Sequence, residues 1–173
     1  MTLSRTLTTL VVRILLAAIL PVWMVGCSTN QRFTMPDTAP GDFVLAATVF
    51  TPPQEHPDSP ASVPARYIVE PDATLRAAVG PGSSPVIYPS PTRTLTSEQF
   101  ARLWTLAHAI PLDTDDARSI NSPENFSPPA DTPSFLIEFR ANESQQAFAF
   151  PANHPQARAL IDALADLAWV RTD

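Results

Sequence analysis

At 173 residues and 45% apolar, the chain has the size of one domain and enough apolar surface for a core, which excludes a purely disordered stalk. Seventeen acids face eleven basic residues, all of them arginine, and the net charge of −6 repels phosphate backbones, so no nucleic-acid partner is expected. Cys27 is the only cysteine, which excludes an internal disulfide and any metal site built from several thiolates.

The first 26 residues divide like a secretory signal peptide. Arg5 and Arg13 are the only charges ahead of Cys27 and make a short positive n-region. Ile14 to Leu20 and Val22 to Val25 form an apolar h-region broken by Pro21. This run is shorter than the ~20 residues a bilayer-spanning helix needs, so a cleaved signal is expected over a retained transmembrane anchor. It ends Met24-Val25-Gly26-Cys27-Ser28. That ending resembles the lipobox of bacterial lipoproteins, in which small residues precede a cysteine that is acylated and becomes the new N-terminus. Met24 departs from the pattern, which usually has leucine there.

The resemblance implies cleavage before Cys27, acyl chains such as palmitate on that cysteine, and attachment to a membrane through them. Each buried CH₂ contributes about 0.8 kcal/mol, so the two or three chains of such lipoproteins make the anchor effectively permanent. It also implies an address. Ser28 stands where the usual inner-membrane retention signal has aspartate, which favours an outer membrane, with the domain facing the periplasm. Cleavage would remove Arg5 and Arg13 and no acids, leaving nine basic residues, seventeen acids and a charge of −8.

Residues 27–42 are polar, with Pro36, Pro40 and no apolar period, and are expected to be a flexible tether. Its ~15 residues would reach about 50 Å when extended. Residues 43–173 form the expected single α+β domain. Phe43 to Phe50 is apolar on both alternating faces, as a well-covered strand would be. Thr51 to Pro64 is a proline-dense loop. Arg66 to Glu70 and Thr74 to Val79 flank Pro71-Asp72, a pair suited to a turn, and predict a β-hairpin. Pro81 to Pro91 is a second stiff loop, with a short strand expected at Val86 to Tyr88. Thr96 and Gln99 fit a capping box that opens a helix. Phe100, Leu103, Trp104 and Ala107 give it a buried stripe, widened by Leu106 and Ile110, and Pro111 ends it.

Asp113 to Pro133 is a long loop with five acids and four prolines. In Ser134 to Arg140, Phe135, Ile137 and Phe139 alternate with Glu138 and Arg140, the strongest strand pattern of the chain. A turn at Ala141 to Ser144 and a return strand from Gln145 to Phe150 complete a second hairpin. Asn153-His154-Pro155 opens the last helix, whose expected stripe is Leu160, Ile161, Leu164, Leu167 and Ala168. The order strand, hairpin, helix, hairpin, helix predicts an antiparallel sheet of about five strands with both helices on one face. The layout over residues 43–170 resembles small extracytoplasmic bacterial domains of unknown function, and no chemistry follows from that resemblance.

Candidate chemistry is sparse. Asp113, Asp115 and Glu124 match positions 1, 3 and 12 of a Ca²⁺ loop, but Ala117 stands at a ligand position and Arg118 where the turn glycine belongs. A solvated loop is expected instead. His56, His108 and His154 lie in three separate contexts, and zinc would need them to converge with carboxylates. His108 is expected beside the first helix stripe, and His154 as a cap of the last helix. No Gly-x-Ser-x-Gly elbow occurs, and Gly80 to Ser84 lacks the lysine of a P-loop. Glu70 and Asp72 flank a solvent-facing turn. Trp104 reads as core and Trp169 as a helix flank. No catalytic residue, metal ligand or cofactor is therefore assigned, and Cys27 is the one functional residue, as a lipid attachment point.

Two readings follow. The first is a lipid-anchored, non-enzymatic interaction or structural module of the cell envelope, with a membrane and an envelope protein as partners. The second is an envelope hydrolase or metal-dependent enzyme with dispersed residues, which requires His108 or His154 to approach Asp113 to Asp116.

Overall fold

The computed structural model describes residues 35, 37–52, 59–129 and 131–168. The expected signal, Cys27, most of the expected tether, His56 and Trp169 lie outside these residues. Among the described residues, one antiparallel sheet contains seven strands: β1 Val44–Phe50, β2 Ala65–Val69, β3 Thr74–Val79, β4 Pro91–Thr94, β5 Arg118–Ser119, β6 Ser134–Ala141 and β7 Ser144–Pro151. Their order across the sheet is β4-β3-β2-β1-β6-β7-β5. Two helices, α1 Ser97–His108 and α2 Pro155–Ala168, complete an α+β fold. No described helix is long and apolar enough to cross a membrane.

The composition of β1 follows from its place at the centre. It pairs with β2 on one side and β6 on the other. On one face Leu45, Ala47 and Val49 align with Tyr67, Phe135 and Ile137, all buried. Both helices cover this face. Phe43 meets Phe100 and Trp104 of α1 edge-on, with ring centroids 6.0 and 4.7 Å apart. Phe150 of β7 lies beside His154 at the start of α2, 5.0 Å between centroids, and the two helices touch each other. The opposite face is buried too, at Ala46, Thr48, Arg66, Ile68 and Leu136. Leu136 sits on the face that the alternation assigned to Glu138 and Arg140, so the first half of β6 is buried on both sides, while Arg140 stays exposed.

The sheet has seven strands where about five were expected, and both additions are short edge strands. β4 (Pro91-Thr-Arg-Thr) pairs with β3, and β5 (Arg118-Ser119) pairs with β7 from within the long loop. Neither has an apolar period, because an edge strand with a solvated side needs none. Pro91 has no N–H to offer a ladder and is tolerated at an edge for that reason. The strand expected at Val86 to Tyr88 does not form. The Ile87 N–H turns back onto Ser84 O at 3.1 Å, and Val86 and Tyr88 stay 70% and 63% exposed.

Both helices begin on side-chain caps. Thr96 Oγ1 accepts from the Gln99 N–H at 3.2 Å while Gln99 Oε1 accepts from the Thr96 N–H at 2.9 Å, the reciprocal capping box. His154 Nδ1 accepts from the Ala157 N–H at 3.3 Å, with Pro155 in the first turn. The core face of α2 uses Leu160, Ile161 and Leu164 as expected, together with Ala157, Ala163 and Ala165; Leu167 and Ala168 are half-buried.

The last residues of the expected tether belong to the folded part. Phe43 N–H donates to Pro40 O at 3.1 Å. Asp42 accepts from the backbone N–H groups of Asn142 and Glu143, at 2.9 and 2.8 Å, and so ties the chain to the β6–β7 turn.

Candidate functional site

The sheet's two ends differ. At one end the strands are joined by tight turns at residues 70–73 and 142–143. At the other, three proline-rich stretches converge: the chain leaving β1 and entering β2, the turn after β3, and the part of the long loop that enters β6. Between them lies a cleft of about 620 Å³. Val49 and Phe50 of β1 form its floor side, Val63 and Pro64 one flank, and Ser127 to Pro129 with Asp131 the other. Gly80 and Gly82 shape the remaining wall at φ 120° and 91°, conformations that a Cβ makes costly although nothing lies within 4 Å of either site.

The cleft is mostly apolar. Among the described residues five prolines (Pro52, Pro64, Pro81, Pro128 and Pro129) line it, and Asp131 is the one ionisable residue of that described lining. Asp131 adopts φ 60°, in a left-handed conformation that aspartate tolerates better than most residues. The loop behind it is pinned from outside: Phe126 packs edge-on against Phe50 at 5.4 Å, and the Arg118 guanidinium lies 5.4 Å from the Phe126 ring centre. Its volume falls in the range of ligand-binding pockets, roughly 300–1,000 Å³.

Charged residues gather elsewhere, on the sheet face away from the helices. Arg66 Nη1 donates to Glu138 Oε1 at 2.6 Å and to Thr48 Oγ1 at 2.8 Å, bridging β2, β1 and β6. The Arg66 and Glu138 side chains are 6% and 12% exposed, and Arg66 Nε is buried with no hydrogen-bond partner among the described residues. Nearer the β4 edge, Glu70 accepts from the Tyr88 hydroxyl and from Arg76 Nε, the latter at 2.8 Å. The Arg76 guanidinium lies 4.5 Å from the Tyr88 ring centre. The Tyr88 hydroxyl, and after it Arg76, hold the Glu70 carboxyl below its ordinary value. This network ties the β2–β3 turn to the loop before β4.

Among the described residues, those singled out from sequence do not gather into one site. His154 is buried under the end of β7 as a helix cap, whereas His108 is exposed at the end of α1, its ring 6.0 Å from Trp104. Asp113, Asp115, Asp116 and Glu124 are exposed in the long loop. Among the described residues no group of three or more His, Cys, Asp or Glu is placed to hold a metal ion. Asp72 caps its own turn, accepting from the Thr74 N–H at 3.0 Å. Tyr67 lies beneath the helices, where burial and, less strongly, Asp162 push its phenol up to about 12, so it stays neutral.

Each stretch lining the cleft is legible in the sequence as a proline-rich loop. Nothing local, however, says that they meet, since that depends on strand order. No protein-family model matches this chain, and no curated protein or solved structure matches it either.

Proposed function

We propose that this chain is a bacterial lipoprotein whose domain is a non-enzymatic interaction module of the cell envelope, with the proline-lined cleft as its binding surface. The N-terminal signal is cleaved before Cys27, and lipid on Cys27 anchors the domain, at an outer membrane facing the periplasm. The residues after Cys27 carry the domain away from the bilayer on a tether. The observation that carries the reading is the cleft: concave, about 620 Å³, mostly apolar, with Asp131 the one ionisable side chain among its described lining. Such a surface holds a ligand by shape and apolar contact. The second reading, a hydrolase or metal enzyme, draws no support from the positions of His108 and His154.

Two measurements test the proposal in the native envelope. Cys27→Ala is expected to abolish fatty-acid labelling and release the chain from the membrane; a variant that remains membrane-bound would contradict the lipid anchor. A photoreactive residue placed at Ser83, on the cleft wall, is expected to cross-link an envelope protein, whereas the same group at Asn142, at the far end of the sheet, is not. Identical adducts from both positions, or none from Ser83, would remove the cleft as the binding surface.

A further inference from the structure

Resting on the reading of the domain as an interaction module, we infer that the cleft takes an extended segment of a partner protein in which an apolar side chain adjoins arginine or lysine. Its walls are poor in hydrogen-bond donors. The five prolines of its described lining have no N–H, and each keeps a carbonyl acceptor. The Thr51 hydroxyl already donates to Ser62 O at 3.0 Å, and the Ser83 hydroxyl lies 2.9 Å from Gly80 O as its donor. The other lining hydroxyls, on Ser62, Ser127 and Thr132, both donate and accept. Asp131 adds a carboxylate, and among the described lining residues there is no cationic side chain to offset it. Walls with this balance disfavour an anion and favour an apolar group that brings its own donors and positive charge.

A peptide fits better than a compact ligand because exposed hydrophobic residues flank the Gly80 to Ser83 wall in the chain. Val79, Val86 and Tyr88 are the exposed large hydrophobic residues among those described, at 45%, 70% and 63%. Val79 ends β3 and Val86 lies in the connection to β4, on either side of the Gly80 to Ser83 wall, while the Tyr88 ring further on is already taken up by Arg76 and Glu70. An extended segment can place one side chain in the cleft and lay its continuation along this stretch. The acidic charge of the chain, −6 before and −8 after loss of the signal, attracts a basic segment and speeds its encounter.

The test uses the full-length lipidated chain in lipid nanodiscs and short fluorescent peptides in which leucine and phenylalanine alternate with arginine, glutamate or serine. Anisotropy is expected to show the arginine peptide binding most tightly, the serine peptide less so and the glutamate peptide not at all, with the arginine peptide weakened by salt. Asp131→Asn preserves size and tolerates the left-handed backbone, and should weaken the arginine peptide about three- to fivefold, as loss of one exposed ion pair does. Ser83→Trp, which fills the cleft, should abolish binding while its circular dichroism stays that of the parent. Equal affinity for the arginine and glutamate peptides, or unchanged affinity in both variants, would overturn the inference. If no peptide binds but the Ser83 cross-link persists in the envelope, the cationic occupant is wrong and the module reading stands. If the arginine peptide binds and no cross-link forms, the cleft chemistry stands and the module reading fails.

Discussion

Three residues at the β6–β7 turn show how a local conflict is settled by a distant side chain. Asn142 and Glu143 have φ of 52° and 63°, the geometry of a two-residue type I′ hairpin, in which asparagine followed by glycine is favoured. Glutamate is out of place there, and a left-handed residue with a Cβ costs about 1–2 kcal/mol. Asp42 offsets this by accepting from both turn N–H groups. Glu143→Gly keeps those N–H groups and is expected to stabilise the domain by about 0.5 kcal/mol in urea unfolding, the relief of strain less the entropy glycine loses. The same bonds make Asp42 pH-sensitive. The Glu143 and then the Asn142 N–H hold its carboxyl below the ordinary value of 3.8. A carboxyl acidified by folding stabilises the fold above its unfolded value, and that contribution is lost as the pH falls through the folded value. Asp42→Asn should therefore unfold at lower urea than the parent near neutral pH, with the difference shrinking as the pH is taken below 3.8.

At the scale of elements, local chemistry and tertiary contact share the work unequally. α1 is defined locally, by the Thr96 and Gln99 box at its start and the Leu103, Trp104 and Ala107 stripe along it. Thr96→Ala removes the cap and should cost about 1 kcal/mol, measured as a shift in the denaturant midpoint with an unchanged slope. The two hairpins are local as well. Pro71 and Asp72 form the β2–β3 turn, closed by Ala73 N–H to Glu70 O at 3.0 Å and followed by Ala73 at φ 64°. β4 and β5 are the opposite case. They hold their places only because β3 and β7 offer open edges, and isolated pairs of such polar residues would not be stable. The expected strand at Val86 to Tyr88 failed for the complementary reason: its apolar residues have no buried surface to meet.

At the scale of the molecule, the Arg66–Glu138 pair is where the fold commits to one register. The two residues are 72 positions apart and meet only when β2 and β6 flank β1 in the observed alignment. Removing one partner leaves a buried charge, so Glu138→Ala should cost about 3–5 kcal/mol, while Arg66→Met combined with Glu138→Leu should recover most of that loss. Urea unfolding of the two single variants and the double variant measures the coupling; additive losses would mean that the pair contributes nothing as a pair.

The sequence alone determined the α+β class, the two hairpins, both helices and the solvated character of the acidic loop. It did so because hydrophobic period, turn residues and caps act over a few neighbouring positions. It also carries the run Met24 to Ser28, whose resemblance to a lipobox is what the proposed anchor rests on. Only the tertiary structure decided that two polar segments become edge strands and that Leu136 and Arg66 are buried on the face away from the helices. It alone brought Phe50, Pro64, Pro81 and Pro128 to one cleft. Those features depend on strand order and register, which join residues far apart in the chain, and no local pattern encodes which loops will meet.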